Sequence, residues 1–347
     1  MRDVALRSGL AEHLVSDIEA GRDWVDRHSV LCSLAGSLQL DPLDLTGQPY
    51  APYGEQHVAV RAVAWHLRHL LYRSGPRTIA DGQRERSSLL SAVEEVRNAQ
   101  VTGDDYALAL VLPRALEAAG HSDSLEGGDR QENLMVRNLA HAAAAGLLRR
   151  LGYRDLAWSL LHRARPAADD GQVVGTEEVR LLTSMGLSGT AADRAEQYFA
   201  VARPVALLCA AAFAHASAGQ RRLAEHLLDE ADSRASDETE FGEVMVARAF
   251  SAMQFGAWDQ VLEREEAAAA MPSARQADLL LLAAGAWARR GQISRAVDRL
   301  AAAERTAALY IGLDPLAREL LHALRARARD SASAREVERL ADRFGLT

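Results

Sequence analysis

Lysine is absent from this sequence, so all 40 of its basic residues are arginine. Cysteine is almost absent as well, since Cys32 and Cys209 are the only two and lie far apart among apolar neighbours. Two distant cysteines exclude a disulfide framework. In such surroundings a buried structural thiol is commoner than a redox or metal-binding one. We therefore expect a protein of the reducing cytoplasm.

Residues that favour β-strands are scarce. The 347 residues include four isoleucines and nine threonines, against alanine runs at 142–145 and 267–270. Helix formers outweigh strand formers along most of the chain. With 48% hydrophobic and 25% charged residues, the composition is that of a folded protein with a sizeable core. The sequence predicts an all-α fold.

Signals for a membrane span and for motif-bearing catalysis are also missing. The longest stretch without a charge, around residues 205–218, is shorter than the roughly 20 residues that a membrane span requires. No HExxH, Walker A, GxGxxG, GxSxG or CxxC motif occurs. The formal net charge of −8 restricts any nucleic-acid contact to a local surface. We expect no membrane partner, no enzyme activity, no cofactor and no metal site.

A short segment rich in proline and glycine divides the chain. Residues 46–56 hold two of each, a density that prevents a helix from continuing. We therefore predict a domain over residues 1–45, a linker over 46–56 and a helical domain over 57–347. Within the larger domain, Pro113 should kink or break a helix over residues 107–119.

Turn glycines recur in one register between about residues 134 and 310. An alanine or valine stands five residues after each glycine, and alanines stand seven before and twelve after. Small residues at these offsets let two helices joined by the turn approach closely. In one degenerate unit Thr190 should take the place of the glycine, and Gly103 should begin an earlier unit. The four glycines that set the register are Gly152, Gly219, Gly256 and Gly291.

This spacing resembles the tetratricopeptide (TPR) repeat, whose period is near 34 residues. The resemblance implies a solenoid of stacked helix pairs, closed by a last pair over residues 316–344. Its concave groove would bind a peptide or a small ligand. For Phe213 or Phe250 taken alone, an ordinary position in the hydrophobic core is the simpler alternative. Counting from the turn glycines, the groove residues are Arg149, Phe213, Glu243, Phe250, Met253 and Asp278.

The first 21 residues, MRDVALRSGLAEHLVSDIEAG, have the pattern of a helix-turn-helix. Gly9 supplies a left-handed turn between two short helices, and Ala5 is small enough for the second helix to cross nearby. Leu10, Val15 and Ile18 should point into a shared core. Two helices joined in this way are typical of DNA-binding domains.

The motif resembles the XRE (Cro and lambda-repressor-like) family, including the Glu19-Ala20-Gly21 that ends its second helix. Asp26 should cap a third helix, and Asp41-Pro42 should open a fourth. The apolar stripe of the third helix should be Val30, Leu31, Leu34, Ala35 and Leu38. Regulators common in high-GC bacteria join such a domain to TPR-like repeats. The family's Arg-rich first helix has no counterpart here, so we expect a shortened domain or a start upstream of Met1.

In that family the second helix of the motif enters the major groove. The resemblance implies that Arg22 and Arg27 contact phosphates. However, residues 1–50 hold four arginines against eight acidic residues, a balance that opposes phosphate binding. The positions expected to contact base edges are Ala11, Glu12, His13, Ser16 and Asp17.

Two functions remain open at this point. One is a homodimeric, DNA-binding transcriptional regulator whose TPR-like domain senses a peptide or small ligand. The other is a TPR adaptor that binds a protein partner and whose helix-turn-helix no longer binds DNA. The acidic charge of the N-terminal domain separates them, because phosphate binding needs local positive charge.

Overall fold

The computed structural model describes residues 2–72, 82–121, 130–164 and 171–346. Within these ranges the chain is all-helical and has no β-strand, which confirms the predicted fold class. A 3₁₀ helix, Glu265–Ala270, follows α15. The α-helices are α1 (Arg2–Ser8), α2 (Glu12–Glu19), α3 (His28–Leu38), α4 (Pro42–Thr46), α5 (Gly54–Tyr72), α6 (Gly82–Thr102), α7 (Asp105–His121), α8 (Arg130–Arg150), α9 (Arg154–Arg163), α10 (Gly171–Ser184), α11 (Ser188–Phe199), α12 (Val205–Ser217), α13 (Arg221–Arg234), α14 (Glu238–Gln254), α15 (Trp258–Leu262), α16 (Ser273–Arg289), α17 (Ile293–Thr306), α18 (Ala308–Gly312), α19 (Pro315–Arg327) and α20 (Ser331–Arg343).

Helices α1–α4 form a small unit, which we call the N-terminal unit. Gly9, with a φ of +68°, turns the chain between α1 and α2. Leu10 and Ile18 pack against the core of this unit, as predicted. Asp41 caps α4 as predicted, because its side chain accepts a hydrogen bond from the backbone N–H of Leu43 at 2.7 Å. The core consists of Ala5, Val15, Val25, Val30, Leu31 and Leu34.

Two predicted details of α3 are wrong. Its N-cap residue is Arg27, and the carboxylate of Asp26 instead accepts a hydrogen bond from Arg289 in α16. A guanidinium is a stronger partner for a buried carboxylate than a backbone amide is. The apolar stripe also ends before Leu38, whose side chain is 45% exposed.

Glycine turns join six helix pairs, from α6–α7 to α16–α17, and each turn glycine has a φ between +70° and +87°. The prediction for Thr190 is wrong, because Gly186 makes that turn and Thr190 lies inside α11. A left-handed conformation strains any residue with a Cβ atom. With Gly186 in place, successive turns from Gly152 to Gly291 lie 34, 33, 37 and 35 residues apart. Gly103 makes the earliest of the six turns, as predicted.

The positions seven before and five after each turn glycine are buried in every pair. All twelve side chains there are at most 1% exposed, and most are alanine, which allows a close approach of two helix axes. Their burial agrees with the contact line that the register predicts for each pair. The twelve residues are Val96, Leu108, Ala145, Ala157, Val179, Ala191, Ala212, Ala224, Ala249, Val261, Ala284 and Ala296.

The pairs stack through their first helices. Helix α8 contacts α10, α10 contacts α12, α12 contacts α14, and α14 contacts α16. Helix α16 also contacts α6, and a Cβ atom on Gly103 would lie 3.3 Å from the Cα atom of Ala274. The last pair therefore returns to the first, and the row of first helices encloses an inner space.

Two further expectations for the larger domain have opposite outcomes. The prediction for Pro113 was a kink or a break, and the break is wrong, because α7 is one helix from Asp105 to His121. Leu112 and Ala115 are fully buried on either side of the proline, so tertiary packing overrides the local preference. Helices α19 and α20 confirm the closing pair, and Phe344 is 1% exposed beside them.

We predict that Ala224→Leu or Ala296→Leu destabilises the protein, because each alanine is fully buried where its helix pair touches. Three added carbon atoms force the helices apart, which costs about 1–3 kcal/mol of unfolding free energy. Chemical denaturation measures this loss. Ala332→Leu, on an exposed position of α20, is the control and should leave the unfolding midpoint unchanged. An unchanged midpoint for both buried variants would contradict the assigned contact line.

Candidate functional site

A cavity of about 290 Å³ lies between the N-terminal unit and the inner side of the helix stack. We call it the central cavity. Trp24, His28 and Leu31 of the N-terminal unit form one wall. Helices α8, α10, α12, α14, α16 and α19 contribute the others. Two parts of the chain that are distant in sequence therefore enclose one space.

All six residues predicted for the groove line the central cavity. Their helices, α8, α12, α14 and α16, are the first members of four of the five pairs from α8–α9 to α16–α17, and equivalent positions of stacked helices face the same side. The spacing of the turn glycines thus located one continuous surface. These six residues are Arg149, Phe213, Glu243, Phe250, Met253 and Asp278.

Ion pairs run along this surface from α8 to α14. Arg149 Nε lies 2.6 Å from Glu177 Oε1, and Arg180 Nη1 lies 3.9 Å from Glu177 Oε2. Arg180 also pairs with Glu243 on α14. The Glu177 side chain is only 8% exposed. Each charge therefore meets an opposite charge on its own helix or on another first helix of the stack.

The ion pairs continue from α14 to α16. Arg275 Nε lies 3.1 Å from Glu243 Oε2, and Arg275 Nη1 donates to Asp278 Oδ2 at 2.6 Å. Burial opposes ionisation of Glu243, yet Arg275 and Arg180 hold the pKa of Glu243 below its usual range. Burial raises the pKa of Asp278 despite Arg275, and the Tyr310 hydroxyl donates to it. Together Arg149, Glu177, Arg180, Glu243, Arg275 and Asp278 form what we call the charged ladder.

The charged ladder contains three cations and three anions, so its members neutralise one another. Removing one partner from such a buried row leaves the other charge uncompensated, which is strongly destabilising. Arg150, next to Arg149, has its own partner in Asp105, which it reaches through Nε at 3.1 Å. The floor of the cavity is therefore polar but electrically balanced.

An apolar wall adjoins the charged ladder. The rings of Phe213 and Phe250 are stacked, with 3.4 Å between their centroids and 13° between their planes. Met253 lies one turn further along α14, and the His28 ring centroid is 6.1 Å from that of Phe213. Stacked aromatic rings and a thioether form a surface suited to apolar or aromatic groups.

The cavity has a cationic corner at the turn between α8 and α9, where Arg149, Arg154 and His28 line it. Burial lowers the pKa of His28 to about 4, and the charges of Arg154 and Arg149 act in the same direction. The imidazole is therefore neutral near pH 7. Burial also lowers the pKa of Arg154 to about 10, against the effect of Asp41.

Arg289 of α16 holds the N-terminal unit against the helix stack. Its Nη1 lies 2.7 Å from Asp23 Oδ1, and its Nε lies 2.5 Å from Asp26 Oδ2. Its guanidinium also lies 3.8 Å from the centre of the Trp24 ring. Arg327 of α19 lies 4.5 Å from the same ring. We call Asp23, Trp24, Asp26, Arg289 and Arg327 the Arg289 cluster.

The linker crosses the helix stack beside the cavity. Gln48 Nε2 donates to the carbonyl oxygen of Arg150 at 3.0 Å and to that of Leu313 at 3.3 Å. A Cβ atom at Gly152 would lie 2.9 Å from the Gln48 Cβ, so this turn needs glycine for space as well as for its φ of +87°. Arg318 lies 3.9 Å from the centre of the Tyr50 ring. The linker is thus a fixed part of the domain contact.

The residues predicted to contact base edges lie at the start of α2 and along it. Three are exposed and two are half-buried. The exposed three stand together where the helix begins, on the side away from the core of the unit. The exposed residues are Ala11, Glu12 and His13, and the half-buried ones are Ser16 and Asp17.

Both arginines predicted to contact phosphates have carboxylate partners within the N-terminal unit. Arg22 Nη2 lies 2.8 Å from Asp17 Oδ1, and Arg27 Nε lies 3.1 Å from Asp26 Oδ1. Arg27 also lies 6.0 Å from the Trp258 ring of α15. Each guanidinium therefore already has an anionic partner, which weakens its attraction for a phosphate.

The sequence did not reveal Arg289 or Arg154 as site residues. Arg289 and its partner Asp26 are separated by 263 positions, and Arg154 and Asp41 by 113. No local periodicity carries information about such contacts. The one local signal was the pair of aspartates beside Trp24, an arrangement that suits an arginine stacked on an indole.

Comparisons with known proteins add no relative. Neither protein-family models, nor curated proteins, nor solved structures match this chain. In the ranges that the structure describes, no helix is long and apolar enough to cross a membrane. Among those same residues, no group of three or more His, Cys, Asp or Glu side chains is arranged to hold a metal ion.

We predict that Arg289→Ala releases the N-terminal unit from the helix stack. Asp23 then loses its cation, and the Asp26 side chain, which is 2% exposed, keeps only Arg27, so the change costs up to about 3–5 kcal/mol of docking free energy. An arginine-specific protease should then cleave after Arg22 and Arg27 about tenfold faster or more. Arg290→Ala is the matched control, because Arg290 pairs with Asp259 at the surface. Equal cleavage rates for both variants would show that Arg289 does not hold the unit.

Proposed function

We propose that this chain is a homodimeric, DNA-binding transcriptional regulator that senses a peptide or small ligand in the central cavity. In this proposal the N-terminal unit is the XRE-type helix-turn-helix domain, and the helix pairs are a TPR-like solenoid. The observation that carries the proposal is the composition of the cavity wall. Trp24, His28 and Leu31 of the N-terminal unit face the same space as the charged ladder.

This shared wall supports a coupling between ligand and DNA. A molecule in the central cavity touches both the N-terminal unit and the helix stack, so it changes the free energy of their contact. By linkage, a ligand shifts such an equilibrium only through its different affinity for the two arrangements. A site shared by both units is where that difference arises most directly.

The geometry of α1 and α2 supports the DNA-binding part. A glycine turn joins two short helices over a shared core, and the exposed start of α2 carries Ala11, Glu12 and His13. In helix-turn-helix proteins, residues at the start of the second helix contact base edges. Because Arg22 pairs with Asp17, we propose that phosphate contact requires exchange of that ion pair.

One observation favours the adaptor alternative. Glu12 and Glu19 are exposed on α2, and Arg7 of α1 pairs with Asp3. Acidic residues on this face repel phosphates and suit a basic protein partner. If DNA binding is lost, the same helix stack and cavity would serve a TPR adaptor.

The test is selection of DNA by the full chain from a library of duplexes with a random central segment, at one matched low salt concentration. We expect a recurring sequence motif. The double variant Glu12→Ala with His13→Ala should lose or alter that motif, because base contacts set specificity. The identity of the motif is the readout, since removing an acidic residue by itself strengthens non-specific binding.

The chain offers a matched control for this experiment. Glu225 and His226 form the same dipeptide on the exposed side of α13. Glu225→Ala with His226→Ala should leave the motif intact. Failure to recover a motif with the unchanged chain would refute DNA binding and favour the adaptor.

A further inference from the structure

The size of the central cavity limits what it holds. Ligand pockets generally span roughly 300–1,000 Å³, and about 290 Å³ is at the lower end of that range. An extended peptide that contacts several helix pairs needs more room than this. The cavity instead suits a compact organic molecule.

The cationic corner has an unused donor. Arg154 is 7% exposed, and its Nη1 lies 3.0 Å from Asp41 Oδ1. Its Nε is buried and has no hydrogen-bond partner. Leaving a buried donor of a charged group unsatisfied costs more free energy than a typical hydrogen bond contributes. An anion placed here would relieve that cost.

Arg154 is also short of negative charge. The Asp41 side chain is 46% exposed, so water screens its attraction to Arg154. The positive charge of Arg149 lowers the pKa of Arg154. Arg149 itself pairs with Glu177, and Asp314, whose pKa burial raises to about 6, also lines the cavity and attracts Arg149. Arg154 is therefore the cation at which one additional negative charge is best placed.

The remaining arginines of the cavity have anionic partners. Arg180 pairs with Glu243, Arg275 with Glu243 and Asp278, and Arg150 with Asp105. A second charge on the ligand would therefore lack a cation. A ligand group with one negative charge, such as a carboxylate, therefore fits better than a phosphate, which carries about two negative charges near pH 7.

The apolar wall begins next to the corner. His28 lines both, and the Phe213 ring stacks on that of Phe250. A molecule whose carboxylate reaches Arg154 would therefore lay its other atoms against His28 and the two phenylalanine rings.

We propose that the ligand of the central cavity is a compact organic acid with one carboxylate and an aromatic or branched apolar body. Arg154 and Arg149 bind the carboxylate, and Phe213 and Phe250 contact the body. This inference rests on the proposed function, because it names the ligand class of the same cavity.

The experiment uses a panel of small aromatic and branched carboxylic acids, each paired with its neutral amide, screened by ligand-observed NMR on the full chain. We expect the acids to bind and compete with one another, and their amides to bind at least about tenfold more weakly, which is about 1.4 kcal/mol. Arg154→Gln should abolish the preference for acids. Phe213→Ala should weaken acids and amides alike.

Arg222→Gln, at an exposed position of α13, is the control and should bind like the unchanged chain. Circular dichroism checks that each variant folds, and Phe213→Ala keeps the test valid if Arg154→Gln does not. Equal binding of acids and amides would overturn the carboxylate but leave the cavity as a sensor. Binding by neither would overturn this inference, whereas the DNA selection tests the regulator separately.

A second, independent observation concerns the outer face of α5. Val58, Ala62, Trp65, His69 and Tyr72 follow one another at spacings of four and three residues, which places them in one stripe on a helix. The stripe is exposed: Val58 by 53%, Trp65 by 59% and Tyr72 by 80%. The rings of Trp65 and His69 lie 4.1 Å apart. Such a stripe is the pattern of a helix that pairs with another helix.

The charges around the stripe favour a second copy of α5 in the antiparallel direction. Glu55 lies at the N-terminal end, whereas the exposed His66 and Arg68 lie toward the C-terminal end. A two-fold axis near Ala62 brings Glu55 of each helix opposite Arg68 of its partner. The opposed helix dipoles reinforce this arrangement. We infer that the outer face of α5 is the dimer interface of this chain.

Sedimentation analysis of the full chain should show a dimer, and Trp65→Glu should convert it to a monomer. Phe241→Glu is the control, because Phe241 is another aromatic residue with about half of its surface exposed, at 48%. It should leave the dimer intact. A monomeric unchanged chain, or a dimer that survives Trp65→Glu, would overturn the assignment.

Discussion

The structure depends on the close approach of two helices at every glycine turn. Glycine adopts the left-handed turn without strain, and the mostly small side chains at the contact line let the helix axes come near enough to stack. Because this contact repeats at nearly constant spacing, every pair presents its first helix to the same side. Stacking of those first helices from α8 to α16, and the return contact of α16 with α6, then create an inner space.

The chemistry of the central cavity follows from this repetition. Charged residues on different first helices lie within ion-pair distance of one another, so Glu243 on α14 can serve both Arg180 on α10 and Arg275 on α16. Such a row is stable in a buried position only if each charge has a partner. The cationic corner departs from this rule, since Arg154 depends on the partly exposed Asp41 of the N-terminal unit. That departure makes the corner the part of the cavity most responsive to an added anion.

The local sequence and its periodicity were sufficient to predict the helix pairs and part of the central cavity. The register of Gly152, Gly219, Gly256 and Gly291 located both the contact lines and six residues of the cavity, because each depends on short-range spacing. Thr190 was assigned to the turn because the small residues around it fit the repeat at that offset. The turn itself needs a left-handed backbone, which strains threonine but not glycine, and Gly186 provides it. The roles of Asp26, Arg154 and Arg289 could not be predicted, since they arise from docking of sequence-distant domains. The continuity of α7 through Pro113 could not be predicted locally either, because tertiary packing of this helix outweighs the low helix propensity of proline.

Two arginines contact the N-terminal unit: Arg154 pairs with Asp41, and Arg289 pairs with Asp23 and Asp26. A ligand in the central cavity acts differently on these two contacts. A carboxylate on Arg154 reduces the attraction of that arginine for Asp41, and so favours release of the unit. The Asp41 pair is partly exposed and contributes only about 0–1 kcal/mol, far less than the roughly 5.5 kcal/mol needed to move a two-state equilibrium from 1:99 to 99:1. A complete switch therefore requires the ligand body to act on the Arg289 cluster as well. Trp24 and Asp26 both line the cavity and both contact Arg289, which makes the apolar body of the ligand, rather than its charge, the main determinant of the response.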